Sequence, residues 1–269
     1  MMRELNYKKL AAEIEIWIKN YINSANAKGV VLGLSGGIDS AVTAALCANA
    51  LGKENVLGLG LPIESIPQDL EDAKLVANNL GISFAISDLT SVYRELVKVL
   101  PSDIQANQMA LANIKPRLRM TTVYYVGQSL GYLVGGTGNR AEIAIGYFTK
   151  YGDGAADFEP LASLYKCEVR EIARILKIPE RIVDKAPNAG LWPDQTDEGE
   201  IGMTYPLLDE ILYRIDYFLE LDDIAAENVE KVISMMKSAE HKNKMPPFFI
   251  LILLTNTINR GHLFGGASY

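Results

Sequence analysis

One stretch, GVVLGLSGGIDSAVTAALCANA from Gly29 to Ala50, limits what this chain can fold into more than any other. Val30 to Leu34 is a short apolar run and reads as a buried strand, while the alanine-rich segment after Asp39 reads as a helix. Ser35, Gly36 and Gly37 join them. A helix N-terminus reached through a glycine turn offers unpaired N–H groups and the positive end of a dipole, which suits an anion. Glycine lets the backbone approach that anion closely. The Walker pattern G-x-x-x-x-G-K-[ST] is excluded, because no lysine follows the glycines. Ser35, Asp39 and Ser40 stand there instead. Hydroxyls and backbone donors can cradle a pyrophosphate, whereas a carboxylate beside them repels phosphate unless a divalent cation lies between. The plain alternative is a tight strand–helix turn with a capping Ser or Asp.

The rest of the chain alternates in the same way. An amphipathic helix opens it, with Leu10, Ile14, Trp17, Ile18 and Tyr21 at helical spacing. Asn55–Pro62 and Ile82–Ile86 read as strands and Pro67–Leu80 as a helix between them. Helices are expected at Ser91–Leu100, Ile104–Asn113 and Arg117–Leu130, and a fourth strand at Gly131–Gly138. Such alternation implies right-handed βαβ units: an α/β fold with a doubly wound, Rossmann-like parallel sheet and helices on both faces. Ligands of such sheets lie beyond the carboxyl ends of the strands, so the turns Ser35–Gly37 and Gly135–Gly138 should meet in one crevice. Lys150–Asp157 reads as a polar loop, and further helices are expected near Lys166–Leu176, Leu207–Leu219 and Asn228–Glu240. Lys185–Glu200, rich in Pro, Gly and acid, reads as a long functional loop. We read a single domain over 1–247, with 248–269 as a tail without a usable motif.

Composition narrows the class. A chain of 269 residues, 49% hydrophobic, can bury a sizeable core. The net charge of −7 argues against a general nucleic-acid binder, since no broad basic field offsets phosphate repulsion. Two cysteines, Cys47 and Cys167, make neither a disulfide framework nor a metal cluster alone, and Cys47 is expected to be buried. Charges interrupt every apolar stretch up to Tyr21, unlike a secretory signal, and Phe248–Leu254 is too short to span a bilayer. No membrane partner and a cytoplasmic location are the expectations.

The spelling S-G-G-x-D-S after a strand resembles the pyrophosphate loop of the ATP pyrophosphatases, which split ATP between its α and β phosphates. Four further segments narrow the likeness: Asn113–Met120 (NIKPRLRM), Gly135–Lys166, Lys185–Glu198 (KAPNAGLWPDQTDE) and Ala239–Pro247 (AEHKNKMPP). Together they resemble the ammonia-dependent NAD synthetases, a family with the adenine nucleotide alpha hydrolase-like fold. The resemblance implies that deamido-NAD (nicotinate adenine dinucleotide), ATP and ammonia give NAD, AMP and pyrophosphate through an acyl adenylate. It implies Mg²⁺ held by Asp39 and Glu142, the latter from its place five residues after Thr137. It implies an ATP site of Gly33, Leu34, Ser35, Gly36, Gly37, Ile38, Asp39, Ser40, Thr137, Lys166 and Asn188. Asp39, Glu142 and Lys166 would carry the catalysis. Arg117, Tyr147, Lys150, Asp153, Asp157, His241 and Lys242 match the deamido-NAD positions, and Lys115, Arg117 and Arg119 form a basic cluster that suits a dinucleotide's phosphates. A homodimer with the dinucleotide site at its interface, formed by helices from Ile104 to Leu130, is implied as well. Glutamine-using relatives carry an extra amidase domain for which this chain is too short, so free ammonia is the expected donor. The loop Lys185–Glu200 is expected to close over ATP.

Three positions depart from the family pattern. Asn188 stands where Ser or Thr is common, Met109 where an aromatic is frequent, and Gly60 where some bacterial relatives have an arginine. Gly136–Ala141 also fits the dinucleotide fingerprint G-x-G-x-x-G/A, but that fingerprint should open the first βα unit and here it closes the fourth. Two rivals stay open on sequence alone: an ATP pyrophosphatase acting on another acceptor, and a non-catalytic adenine-nucleotide sensor.

Overall fold

Val30 and Leu32 point to one face of a sheet and Val31 to the other, the two-residue alternation of a strand buried on both sides. The computed structural model describes residues 3–249 apart from 189, 191, 193 and 194. In chain order its elements are α1 (Tyr7–Ser24), β1 (Val30–Gly33), α2 (Ile38–Leu51), β2 (Val56–Gly60), α3 (Pro67–Leu80), β3 (Ser83–Ile86), α4 (Thr90–Lys98), α5 (Gln108–Ala112) and α6 (Ile114–Leu130). There follow β4 (Leu133–Val134), α7 (Arg140–Ile145), α8 (Lys166–Ile175), α9 (Glu180–Val183), α10 (Asp197–Ile201), α11 (Tyr205–Asp216) and α12 (Ala226–Ala239).

Local chemistry sets these bounds. Asn6 caps α1 by accepting from Lys9 N–H at 3.0 Å. α3 starts on Pro67, whose fixed φ suits a first helical position, and ends at Gly81 in the left-handed region. The four strands are parallel and lie in the order β3-β2-β1-β4. Val30 pairs with both Val56 and Leu133, and Gly58 with Phe84. α1, α2 and α8 cover one face with Ile18, Ile22, Leu46, Val169 and Ile172. The small buried residues Ala41, Ala44, Ala45 and Cys47 allow α2 to sit close against its neighbours. α6 covers the other face through Val123. A third cluster unites Ala141, Ile145, Tyr165, Ile201, Tyr205, Leu208 and Ile211 from α7, the N-cap of α8, α10 and α11 beside the sheet.

The chain leaves β1 toward β2 on one side and returns to β4 on the other. Between β1 and β4 lies the point where strand order reverses, the place at which open parallel sheets bind ligands. Both glycine turns open there, and Thr43 Oγ1 of α2 donates to Gly136 O at 3.4 Å.

The reading of the sequence needs four corrections. The fourth strand is only Leu133–Val134, because the glycines after it turn away to meet Phe158. The helix read at Ile104–Asn113 shortens to Gln108–Ala112, capped by Asn107. α7 and α9 were not anticipated, and α10 occupies the end of the segment read as a loop. Six residues or fewer cannot show a helical period, so such elements rest on caps and packing. Cys47 is fully buried, as expected. Of the apolar run Phe248–Leu254, Phe248 and Phe249 are exposed; 250–269 lie outside the described residues. Among the described residues no helix is long and apolar enough to cross a membrane.

Candidate active site

The first glycine turn is held from within. Ser40 Oγ donates to Gly37 O at 3.0 Å and lies 3.1 Å from Ser35 Oγ, which accepts from Gly37 N–H at 3.2 Å. Gly36 adopts φ +78°, and a Cβ there would stand 2.4 Å from Asp69 O. The turn thus lies pressed against the first turn of α3, with Leu34 and Ile38 buried beneath it and Gly33 opening it. Asp39, in the first turn of α2, projects toward the second glycine turn.

That second turn ends in a capping box. Asn139 Oδ1 accepts from Glu142 N–H at 3.0 Å, and Glu142 Oε2 accepts from Asn139 N–H at 3.3 Å. The box fixes Glu142 at the start of α7 and leaves Asn139 Nδ2 to donate to Asp39 Oδ1 at 3.0 Å. Thr137 is half-buried in the turn before it. Lys166, the first residue of α8, then joins the two sides: its Nζ lies 2.5 Å from Asp39 Oδ2 and 3.3 Å from Glu142 Oε1. The ring of Tyr205 lies beneath that ammonium, 5.0 Å away.

The electrostatics follow from burial. Desolvation pushes the Glu142 carboxyl up to about 7, with Lys166 pulling it down and Asp39 pushing it further up. Burial alone would lower the Lys166 ammonium, but the two carboxylates outweigh it and hold the group above its ordinary range. Two carboxylates sharing one cation are the hard oxygen donors that Mg²⁺ prefers, one or two of them sufficing when substrate phosphates and water complete the octahedron. The residues therefore fit a Mg²⁺·phosphate group, with Lys166 marking where positive charge sits between them. No cluster of three or more His, Cys, Asp or Glu able to hold a metal occurs among the described residues.

The residues matched to deamido-NAD gather around α7. Arg117 Nε donates to Lys150 O at 3.4 Å, Lys150 Nζ donates to His241 O, and His241 Nδ1 lies 2.9 Å from Ser238 O. Lys242 Nζ reaches Gly146 O at 2.6 Å and Phe148 O at 2.8 Å. Asp153 accepts from Thr149 N–H at 3.0 Å. Tyr147 links this group to the first: its hydroxyl donates to Glu200 Oε2 at 2.5 Å and lies 3.2 Å from Asp197, which Tyr205 also reaches at 3.2 Å, and Tyr205 lies 3.5 Å from Glu142. Asp157 is engaged in holding the fold, accepting from Val134 N–H at 2.7 Å and from the Tyr124 hydroxyl.

The basic cluster does not present one face. Lys115 is buried, pairing with Glu64 at 3.7 Å, and Arg119 turns inward to Leu61 O at 2.9 Å, so only Arg117 is exposed. Residues at i, i+2 and i+4 of a helix cannot all share one side. Asn188 is exposed, and its Oδ1 accepts from Gly190 N–H at 2.6 Å. Met109 is exposed on α5. A Cβ at Gly60 would lie 2.8 Å from both Leu70 and Phe84, so glycine at that position answers to packing.

Sequence reasoning missed Asn139, Asp197 and Tyr205. The N-x-x-E spacing of Asn139 and Glu142 is a capping-box signal that could have shown the first; the others lie on α10 and α11, distant in sequence and without a motif.

Comparison with known proteins identifies the family. Residues 10–246 match the family model described as NAD synthase. The chain is 48% identical over 252 residues to the NH(3)-dependent NAD(+) synthetase of Thermococcus sibiricus, covering 91% of this chain and 98% of that protein. Its counterpart in Pyrococcus furiosus is 46% identical over 253 residues, 91% of this chain and 95% of the other. Among solved structures, the NMN synthetase of Francisella tularensis gives a TM-score of 0.84 at 33% identity, over 92% of this chain and all of that one. The NH3-dependent NAD synthetase of Campylobacter jejuni gives 0.79 at 30%, over 91% of this chain and 100% of its own. A glutamine-dependent NAD+ synthetase from Acinetobacter baumannii gives 0.66 at 27%, over 93% of this chain but only 48% of that one.

Proposed function

Because the chain belongs to the NAD synthase family, we propose that it forms NAD from deamido-NAD, ATP and free ammonia, releasing AMP and pyrophosphate. It is a ligase. One observation carries the reading: Lys166 and Asn139 tie Asp39 of one glycine turn to Glu142 of the other, so the phosphate cradle and the acceptor side meet at a single charged centre. The NH(3)-dependent relatives are matched along 95–98% of their length, which supports ammonia as the nitrogen donor.

The residues suggest how. The Ser35–Ser40 turn and the N-terminus of α2 hold the ATP phosphates. Asp39 and Glu142 hold the Mg²⁺ that, when bound, neutralises charge on the phosphate oxygens. Lys166 contacts the phosphate chain and steadies charge building on it. The nicotinate carboxylate attacks the α phosphorus; the bond to the bridging oxygen breaks and pyrophosphate leaves. Ammonia then attacks the acyl carbon, AMP leaves with the bonding pair, and a proton passes to solvent. The protein's part is to set the reactants in line and to replace water with fixed charge. Arg117, Lys150, His241 and Lys242 bind the dinucleotide. By the family's likeness the enzyme acts as a homodimer in the cytoplasm.

A second acceptor is favoured by the Francisella structure, described as an NMN synthetase: nicotinate mononucleotide in place of the dinucleotide. The deciding assay follows the amidated product of each acceptor (NAD or nicotinamide mononucleotide) and pyrophosphate separately, with ATP and Mg²⁺, with and without ammonium. Ammonium-dependent NAD formation is the expected result. Amidation of the mononucleotide alone would move the reading to the second acceptor, and no product with either would sink both.

A further inference from the structure

Lys166 is the first residue of α8, where the positive end of the helix dipole opposes a cation. Its place there needs a compensating charge. Asp209 of α11 supplies one: Oδ1 accepts from Lys166 N–H at 3.3 Å and Oδ2 from Cys167 N–H at 2.9 Å. Asp209 is only 1% exposed. Its carboxylate also takes a hydrogen bond from the Cys167 thiol. Other free groups at this helix end are served elsewhere, since Glu168 accepts from Tyr165 N–H at 3.0 Å and binds the Arg3 guanidinium. Asp209 is thus spent on the two residues that aim the lysine. On the same face of α11, one turn earlier, Tyr205 lies beneath the Lys166 ammonium. One helix face therefore grips Lys166 twice, by its backbone and below its side chain.

We propose that Asp209 is a positioning residue for the ligase reaction, holding the backbone of Lys166 so that its ammonium is aimed at the phosphate chain; this rests on the function proposed above. Asp209 touches neither substrate. It acts through Lys166, and its effect vanishes when that side chain is removed. Burial pushes its carboxyl up to about 6, against the backbone bonds that favour ionisation, so it remains charged at neutral pH.

A double-mutant cycle on the full-length protein tests this. Wild type, Asp209→Ala, Lys166→Met and the double variant are titrated with ATP in the presence of Mg²⁺, and turnover is measured alongside. Asp209→Ala is expected to weaken ATP binding and lower kcat, each by about tenfold, and the double variant to bind ATP no more weakly than Lys166→Met alone. Additive losses, or an Asp209→Ala protein indistinguishable from wild type, would overturn the proposal. Should Asp209→Ala melt below the assay temperature, Asp209→Asn replaces it in the cycle, keeping the shape and one oxygen acceptor. A wild-type protein that neither binds ATP nor makes NAD would instead remove the underlying ligase reading, and the two failures are thereby distinct.

Discussion

Gly36 does two things that no other residue can do at its position. Its φ of +78° lies where L-residues are strained, and an added Cβ would meet Asp69 O at 2.4 Å. Gly36→Ala should therefore cost roughly 2–4 kcal/mol, from strain plus the steric shift, and push α3 off the phosphate turn. The expected outcome is a melting temperature lower by roughly 5–10 °C and a KM for ATP raised at least about tenfold. A variant with wild-type stability and KM would show that the turn is not pressed on α3. Glu159 makes a different prediction. It lies under the second glycine turn, accepting from Gly138 N–H at 3.1 Å. Burial pushes its carboxyl up to about 8, the Gly138 bond opposing and Glu142 and Asp153 adding to the rise. A carboxyl raised in the fold contributes stability below its unfolded pKa of about 4.3, and that contribution is lost as pH climbs toward 8. Glu159→Gln keeps the acceptor and cannot ionise. Its melting temperature relative to wild type should rise between pH 5 and pH 9, by roughly 5 °C or more. A flat difference across that range would mean that Glu159 is already charged in the fold at pH 5.

At the scale of elements, the foot of the Lys185–Glu200 segment is tied to the phosphate turn. Lys185, just after α9, donates to Gly36 O at 3.3 Å, Asp69 Oδ1 at 2.8 Å and Asp72 Oδ2 at 2.7 Å. Lys185→Ala should leave the nearly buried Asp72 with Gln68 and Arg181 as its partners among the described residues, costing about 1–3 kcal/mol, and should raise the KM for ATP more than it lowers kcat. Loss of kcat alone would place Lys185 outside ATP binding. If the segment closes over ATP, its cleavage by protease should slow when ATP and deamido-NAD are both present. How far these elements could be read in advance depended on their length and their partners. β1, α2 and α3 declare themselves by period, by proline and by glycine, all local signals, so their places were legible within a residue or two. β4 was overdrawn because GYLVGG has strand composition, while the pairing that ends it comes from Phe158, far along the chain. That the two glycine turns meet was legible from the strand order, whereas Glu142 was named only from its place in the family pattern. Tyr205 and Asp209 were not, because they serve Lys166 from a helix whose sequence looks like ordinary amphipathic packing.

At the scale of the whole molecule, the apolar surface is unevenly spread. Every residue from Pro101 to Ala110 is exposed, among them Ile104 and Met109, and α6 adds Tyr125, 72% exposed, and Leu130. Ile104, Met109, Tyr125 and Leu130 fall within the stretch from Ile104 to Leu130 for which the family's likeness implies a dimer interface. Arg117, the exposed member of its basic triplet, stands on the same α6 and donates to Lys150 O within the dinucleotide group. Burying α5 and α6 against a second copy would cover this apolar surface and place Arg117 beside the joint, so dimerisation and dinucleotide binding would be linked. Tyr125→Arg puts a charge on this exposed face without touching the core. It should shift the molecule from dimer to monomer in sedimentation and weaken deamido-NAD binding by about tenfold, with ATP binding changed little. A variant that stays dimeric would show that the pairing surface is elsewhere. A monomer that binds deamido-NAD as tightly as the wild type would show that each chain holds a complete dinucleotide site. The link between assembly and substrate would then be broken, even though the apolar face still pairs.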